Sequence, residues 1–284
     1  MALKTRKPTG QVSWPFLLLA GAEKSGKSYA AAAFSASDLI GRTFWIEVGE
    51  SDADMYGSLP GARYEIVEHD GTMASILQAV RDASAEPTRA GKPNCIVVDS
   101  ITNVWDMLIG EQEAVTIRRG KSSMTIDQWN TAKRQWRKLV TALNSHPGPV
   151  LVTARLEQVT VMANGRPTTD KTWKVRAEKS LPFEVTGTVE MRAPGETYLT
   201  GLRSLKVKAA QGQHLPIQGF TVDGLMRDLG VDGGARRLTP ATRLPCVPVR
   251  TWPLPTPWMA GRLTPASSGT SVSTPSMSSS TRAL

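Results

Sequence analysis

Short apolar runs, separated by polar segments that contain glycine or proline, recur along the chain up to about residue 230. Five of these runs predict strands, and they lie at residues 16–20, 43–47, 64–68, 94–99 and 150–154. Helices are predicted for the alanine-rich residues 28–34, for residues 72–83 and for a segment that begins at Thr125. With 284 residues, the chain has room for one large α/β domain or two small ones.

The helix that begins at Thr125 opens with the capping-box pattern Thr125-Ile-Asp-Gln128. Its apolar stripe is formed by Trp129, Trp136, Leu139, Val140 and Leu143. Four cations lie mostly off that stripe, namely Lys133, Arg134, Arg137 and Lys138. We interpret them as a solvated face of the helix.

The last ordered part of the chain is predicted to contain a hairpin and a closing element. Residues 185–191 and 198–208 flank Ala193-Pro-Gly195, an arrangement that predicts a β-hairpin. Residues 220–229 have the pattern of a strand followed by a helix.

The composition changes abruptly at residue 233. The 52 residues from there to the end contain no acidic residue, no helical period and many prolines, serines and threonines. Such a segment cannot bury enough apolar surface to offset the entropy lost on ordering, so we predict a disordered tail. The change also suggests the hypothesis of an out-of-frame extension. The predicted organisation is a basic flexible segment at 1–11, one domain at 12–232 and the tail at 233–284.

Charge and cysteine content add few constraints. The formal net charge is +9, but all 25 acidic residues lie within residues 12–232 beside an equal number of basic ones. The domain is therefore formally neutral, and any nucleic-acid site must rest on local clusters. No apolar run approaches a membrane span, no signal peptide is visible, and two cysteines with three histidines show no zinc spacing. We interpret the chain as a soluble, cytoplasmic protein without a membrane partner.

One motif points to nucleotide chemistry. The first apolar run leads into a complete P-loop, made of Gly21, Ala22, Glu23, Lys24, Ser25, Gly26, Lys27 and Ser28. Glycines let the backbone wind around phosphates, which meet amide N–H groups and the positive end of the helix dipole. In this motif Lys27 reaches the β- and γ-phosphates, and the Ser28 hydroxyl is a ligand of Mg²⁺. The sequence therefore predicts a site for ATP and Mg²⁺.

A second nucleotide element is predicted at residues 94–100, where four apolar residues are closed by Asp99. An acid at the carboxyl end of a buried parallel strand can hold the water shell of Mg²⁺. Taken alone this pattern is typical of any strand end. It gains weight because it follows Lys27 by some seventy residues in a chain that needs an acid beside the metal.

With these elements in order, the chain resembles the RecA-like ATPase core, and most closely the small phage-encoded RecA-like ATPases used in single-strand annealing and recombination. The resemblance covers residues 12–232 and is carried by residues 21–28 and by Asp99-Ser100. It implies an α/β fold, a RecA-like P-loop NTPase core with a mainly parallel central sheet flanked by helices. It also implies Mg²⁺-dependent ATP hydrolysis.

The resemblance assigns roles near the second strand. In the family, a glutamate there polarises the attacking water, and a tyrosine further along stacks on adenine. Glu50 and Glu47 are both candidates for the glutamate, with Glu50 favoured, and Tyr56 is the candidate tyrosine. The alternative is that these acids only solvate a loop.

Two loops contact DNA in the family, after the Asp-bearing strand and after the next strand. Here residues 111–124 and 156–182 take those places. Their candidate DNA-binding residues are Arg118, Arg119, Lys121, Lys171, Trp173, Lys174, Arg176 and Lys179. Where the family often has glutamine before the second loop, this chain has Thr153-Ala-Arg155, and Arg155 is a candidate γ-phosphate sensor.

By the same resemblance, Arg203, Lys206 and Lys208 take the place of basic residues that reach a neighbouring subunit's ATP. Ordinary exposed strand charges are an equal alternative. The implied partners are single-stranded DNA, further copies of the chain in a ring or filament, and a single-strand binding protein or another recombination or replication protein. A phage origin would place the protein in the host cytoplasm.

Three functions therefore remain open. The first is a DNA-stimulated ATPase of phage recombination, annealing or replication. The second is a P-loop protein that acts on a small molecule or as a partner-binding switch, without nucleic acid. The third is a motor such as a helicase or a packaging ATPase, which is disfavoured because the domain is short and shows no helicase motif series.

Overall fold

A computed structural model describes residues 5, 7, 12–207 and 212–231. The predicted tail at 233–284, most of the predicted flexible segment at 1–11, and Lys208 lie outside the described residues. None of the helices in the described part is long and apolar enough to cross a membrane.

The described residues form seven helices and nine strands. The strands are β1 (Phe16–Gly21), β2 (Thr43–Glu47), β3 (Tyr64–Ile66), β4 (Cys95–Asp99), β5 (Val150–Ala163), β6 (Arg166–Arg176), β7 (Gly187–Ala193), β8 (Glu196–Thr200) and β9 (Leu215–Ile217). The helices are α1 (Lys27–Phe34), α2 (Ala53–Tyr56), α3 (Met73–Ala85), α4 (Ile101–Arg118), α5 (Ile126–Asn144), α6 (Leu181–Glu184) and α7 (Val222–Leu229).

All nine strands belong to one sheet with the order β3-β2-β4-β5-β1-β7-β8-β9, and β6 pairs with β5 outside this path. The six neighbouring strands β3, β2, β4, β5, β1 and β7 run parallel to one another. Antiparallel pairing is confined to β6, β8 and β9. The predicted α/β fold with a mainly parallel central sheet is confirmed.

Helices cover both faces of the sheet, which explains why its central strands are continuous apolar runs. Along β1, Phe16, Leu18 and Ala20 pack into the core beneath α3, α4 and α5. The alternating residues Leu17 and Leu19 pack into a second core with α1 and α7. The P-loop strand is therefore fixed from both sides.

Most predicted elements appear with small shifts in their bounds. The hairpin of β7 and β8 is present, and so are α3 and α7. The strand predicted within residues 220–229 is not formed, because α7 already begins at Val222; the strand before it, β9, lies earlier in the chain. The capping box is also present, because the Gln128 side-chain oxygen accepts a hydrogen bond from the Thr125 N–H at 2.9 Å. The predicted apolar stripe of α5 is buried except at Trp129, which is 41% exposed.

Two stretches that we expected as loops are largely regular structure. Residues 156–176 lie mainly in an antiparallel hairpin, formed because β5 continues to Ala163 and then pairs with β6. Its turn is Asn164-Gly165, where both residues have positive φ, the conformation that a two-residue hairpin turn requires. Residues 111–118 belong to α4, which leaves only a short connection before α5.

Stability should depend on pH through His146, at the end of α5. Burial lowers the pKa of its imidazole below the ordinary 6.5, although a hydrogen bond with the Asn94 carbonyl at 2.8 Å acts in the opposite direction. The unfolded chain thus takes up the proton first, and the free energy of unfolding should fall as the pH drops below about 6.5. Urea unfolding across this range measures the effect.

The control is His146→Asn, which removes the titrating ring and should flatten that part of the profile. An unchanged pH dependence in the variant would show that other groups cause it.

Candidate active site

The P-loop connects the carboxyl end of β1 to the amino end of α1, where backbone N–H groups are free to bind an anion. Gly26 caps α1 with φ of 94°, a left-handed conformation that favours glycine. A side chain at Gly21 would lie 2.2 Å from the Ser25 hydroxyl. Lys27 donates a hydrogen bond from Nζ to the Ala22 carbonyl at 2.8 Å, so its ammonium lies inside the loop.

Parallel strands bring the remaining polar groups to the same edge of the sheet. Glu50 follows β2, Asp99 ends β4, and Arg155 lies on β5 opposite Gly21 of β1. Strand β5 lies between β1 and β4, so the P-loop and Asp99 face each other across it.

These groups line one cavity of about 520 Å³. Its lining consists of Gly21, Glu23, Lys24, Ser25, Gly26, Lys27, Ser28, Glu50, Asp52, Tyr56, Asp99, Ser100, Arg155, Leu156 and Glu157. The P-loop residues other than Ala22, together with Asp99, Glu50, Tyr56 and Arg155, thus lie around a single space. Each was a candidate from the sequence.

Asp99 is only 2% exposed. One of its oxygens accepts a hydrogen bond from the Thr153 hydroxyl, while the other is buried without a hydrogen-bond partner. Burial raises the pKa of the carboxyl, and the nearby hydroxyls of Thr153 and Ser28 oppose this shift. An unpartnered carboxylate oxygen next to a hydroxyl has the chemistry of a Mg²⁺ site.

No group of three or more His, Cys, Asp or Glu that could hold a metal occurs in the described part of the chain. Mg²⁺ is usually bound by one or two carboxylates together with water and the substrate phosphates. The residues present therefore fit the ion.

Two neighbours hold Glu50 at the cavity. Asn103 of α4 donates from Nδ2 to a Glu50 oxygen at 3.1 Å and also to the Val48 carbonyl at 2.8 Å. The Arg155 guanidinium lies 3.3 Å from the same Glu50 oxygen. Glu50 is thus fixed from one side by a neutral amide and from the other by a cation.

Glu47, the other candidate, has a different role in the structure. Its carboxylate accepts a hydrogen bond from the Ala53 N–H at 3.0 Å, which satisfies a free donor at the start of α2. Glu47 is absent from the cavity lining, whereas Glu50 is part of it. The geometry favours Glu50 as the residue that would contact water beside a phosphate.

The ammonium of Lys27 lies among these charges. Burial lowers its pKa, while Asp99 and Glu50 raise it and Arg155 lowers it. Two carboxylates therefore compensate for much of the cost of burying the cation. Nucleotide phosphates would add further negative charge at the same place.

A second cavity of about 610 Å³ shares Lys24, Ser25 and Gly26 with the first. It continues between α1, the β7–β8 turn and the start of α7, where Tyr29 and Phe220 line it. Tyr56 lies in the first cavity, half-buried, with its hydroxyl 3.3 Å from Asp52. A nucleoside thus has aromatic surfaces on both sides of the P-loop, and the sequence reasoning identified only Tyr56.

The candidate DNA-binding residues fall into two groups. Arg118 ends α4, and Arg119 and Lys121 lie in the connection to α5, where all three are exposed. Lys171, Trp173, Lys174 and Arg176 lie on β6, and Lys179 follows it.

The hairpin does not present its candidates as one cluster. Lys171 and Lys174 are an odd number of positions apart, so they lie on opposite faces of the strand. Arg176 forms ion pairs with Asp106 and Glu157 at 3.0 and 3.4 Å. Trp173 packs against the core, and the Arg192 guanidinium lies 5.6 Å from its ring, so neither Arg176 nor Trp173 is free for DNA.

Of the candidates for contact with a neighbour's ATP, Arg203 and Lys206 are described, and they lie beyond β8, not on it. Arg203 donates to the carbonyls of Glu184 and Val185, both at 2.8 Å. The ammonium of Lys206 lies against Gly230, beyond the last residue of α7, where a helix dipole favours a cation. Both residues line a cavity with Pro15, at the edge of the sheet opposite the P-loop.

Comparison with known proteins identifies the family. A model described as an AAA domain matches residues 15–211, which is more than half of the chain. The chain belongs to this AAA domain family. It is therefore a P-loop ATPase, and membership of this family implies nucleotide binding. No curated protein matches the sequence.

Solved structures show weaker likeness. The RadB recombinase is 15% identical, with a TM-score of 0.41, and the match covers 74% of this chain and 90% of that one. An ATPase of the type III secretion system of pathogenic bacteria is 12% identical over 62% and 50% of the two chains, with a TM-score of 0.40. The pCW3 conjugation coupling protein TcpA is 10% identical over 72% and 60%, with a TM-score of 0.39.

Several polar residues of this AAA domain's site were not candidates from the sequence. Asp52 lines the cavity, Asn103 binds Glu50, and Thr153 binds Asp99. Asn103 and Thr153 lie on α4 and β5, so only the packing of these elements brings them to the acids. Asp52 could have been found, because it lies in the same acidic segment as Glu50.

The two glutamates can be separated by isosteric variants. We expect Glu50→Gln to lower kcat for ATP hydrolysis by about 10²–10⁴-fold while ATP binding persists, because a positioned general base contributes this much. Glu47→Gln should stay within a few-fold of the wild type, since a glutamine oxygen can still accept from Ala53. Steady-state hydrolysis and nucleotide titration measure both effects.

The reverse pattern, with activity lost in Glu47→Gln and kept in Glu50→Gln, would assign the base to Glu47 and reject this interpretation of the cavity.

Proposed function

We propose that the protein is a Mg²⁺-dependent ATPase that binds single-stranded DNA in phage recombination, annealing or replication. One observation supports it above others. Arg155 lines the nucleotide cavity and pairs with Glu50, and its strand β5 runs directly into the exposed hairpin. A single strand therefore links the site of hydrolysis to a candidate DNA contact.

The phosphates of ATP would lie along the P-loop, where backbone N–H groups and Lys27 offset their charge. Ser28, together with Asp99 through water, would hold Mg²⁺, and the ion would supply neutralisation of the phosphate charge. Glu50 accepts a proton from the attacking water and orients it. Asn103 keeps the Glu50 carboxylate in place during this step.

Arg155 would respond to the nucleotide. In the structure it pairs with a carboxylate, Glu50. A γ-phosphate offers the guanidinium a more highly charged partner at the same place, which would release Glu50 for water. Because Arg155 is part of β5, its new position would be transmitted to the hairpin. Binding of ATP in the cavity would in this way be coupled to binding of DNA at the hairpin.

Two exposed basic features support the choice of DNA. The connection after α4 carries Arg119 and Lys121, and the hairpin carries Lys171 and Lys174. None of these four cations forms an ion pair with a described residue. Cations of this kind bind a phosphate backbone without reading its sequence.

Both features lie on segments that start at the carboxyl edge of the sheet. Helix α4 starts there, after Asp99, and the hairpin extends from there beyond Arg155. Further copies of the chain in a ring or filament would align these features along one strand of DNA. The opposite edge, with Arg203 and Lys206, would then be available to face a neighbour.

The decisive test is ATP hydrolysis with and without single-stranded DNA. We expect DNA to stimulate hydrolysis by the wild-type protein, and Lys27→Ala to abolish turnover in both conditions because the phosphate contact is lost. The double variant Lys171→Gln and Lys174→Gln should keep its basal rate and lose most of the stimulation. Retained thermal unfolding would show that the hairpin variant is folded.

Hydrolysis that is indifferent to DNA, together with no binding of an oligonucleotide at low salt, would reject the DNA-dependent function. A P-loop switch or small-molecule enzyme would then be the better description. Strand displacement driven by ATP would instead favour a motor.

A further inference from the structure

A groove that no part of the ATPase mechanism uses lies between α3 and α5. It has a volume of about 740 Å³. Its lining consists of Arg81, Ser84, Ala85, Arg134, Arg137, Lys138, Thr141, Ala142 and Ser145. Four of these nine residues are cations and none is an acid, although the domain as a whole is formally neutral.

Helix geometry explains why the cations converge. Residues 134, 137 and 138 follow the spacing that places side chains on one face of a helix, and Arg81 reaches the groove from α3. None of the four forms an ion pair with a described residue. Arg134 donates only to the hydroxyl of Thr131 at 3.0 Å. Arg134, Arg137 and Lys138 are exposed, as expected for a solvated face of α5, and the structure adds that they share this groove with Arg81.

The groove is separate from the candidate active site. Helices α4 and α5 are antiparallel, since Gln128 contacts Gln112 and Thr116 while Trp136 packs on Trp105. The second half of α5 therefore runs past the start of α4 and down the sheet. It ends near the amino edge, where His146 contacts Ser84 of α3.

We propose that this α3–α5 groove binds the sugar–phosphate backbone of a nucleic acid, as a contact additional to the hairpin and the α4–α5 connection. The proposal rests on the proposed function, because the partner is the same polymer. Four unpaired cations on two rigid helices provide a fixed row of positive charge for a polyanion.

The composition of the lining argues against the other polyanionic or interfacial partners. The only hydrophobic side chains in it are those of two alanines, Ala85 and Ala142. Protein interfaces usually bury aromatic or methionine side chains at their centre, and interfacial helices insert apolar ones into a membrane. The groove also lacks an aromatic ring on which a base could stack, so the contact would be to phosphates and independent of sequence.

The test compares two double variants of the full chain that remove the same charge. Arg137→Gln with Lys138→Gln alters the groove, while Arg89→Gln with Lys92→Gln alters exposed cations outside it. Binding of a fluorescent oligothymidylate is measured by anisotropy over a series of salt concentrations. Thermal unfolding and basal ATP hydrolysis, without DNA, should match the wild type in both variants.

We expect the groove variant to bind more weakly at low salt. Its plot of log K against log salt should be shallower by about 1.4, because each phosphate contact to a single strand contributes about 0.7 to the slope. The control variant should keep the wild-type slope. Phosphate contact in the groove would explain this difference, whereas general loss of positive charge would affect both variants equally.

Equal slopes in the two double variants, with binding lost on changing Lys171 and Lys174, would overturn the groove while leaving the proposed function intact. A wild-type protein that binds no oligonucleotide at low salt would reject the proposed function and the groove together. Binding of phosphatidylserine vesicles in place of the oligonucleotide, lost in the groove variant, would also overturn the nucleic-acid assignment.

Discussion

The parallel alignment of β1, β2, β4 and β5 is the constraint on which the site depends. Parallel strands direct all their carboxyl ends to one edge, so residues far apart in the chain meet there without any long loop. The P-loop, Glu50, Asp99 and Arg155 each lie at, or within a few residues of, the carboxyl end of a buried apolar run. Their mutual geometry is thus set by strand register, which the two hydrophobic cores on either face hold fixed.

The same arrangement forces an unfavourable group into the interior. Asp99 is almost fully buried, has one unpartnered oxygen and has a pKa raised by desolvation. A purely structural position would be better filled by an apolar residue, because a buried carboxylate with incomplete hydrogen bonding costs stability. A group that carries such a cost beside a P-loop is typical of a functional site. The fold tolerates it because Thr153 and nearby Lys27 compensate for part of the charge.

Positive charge is distributed over the surface in a way that the net charge hides. The described domain is formally balanced, yet its unpaired cations concentrate on the hairpin, on the α4–α5 connection and in the α3–α5 groove. Other cations are neutralised locally, as Arg42 is by Glu65 and Glu86, both at 2.6 Å. Pairing thus separates cations that serve the fold from those available to a partner. Arg176, a candidate DNA contact from the sequence, belongs to the cations that serve the fold, because it forms ion pairs with Asp106 and Glu157.

The sequence by itself determined the P-loop, most of the buried parallel strands, and the acid at the end of β4, because local patterns encode backbone conformation and burial. It left both Glu47 and Glu50 as candidates, with Glu50 favoured, since their spacing along the chain is similar. Only the tertiary structure decided that Glu47 binds the start of α2 and that Glu50 meets Asn103 and Arg155. It likewise converted expected loops into a hairpin and a longer helix, and brought Arg81 to the cations of α5. These results depend on contacts between residues distant in the chain, which no local pattern records.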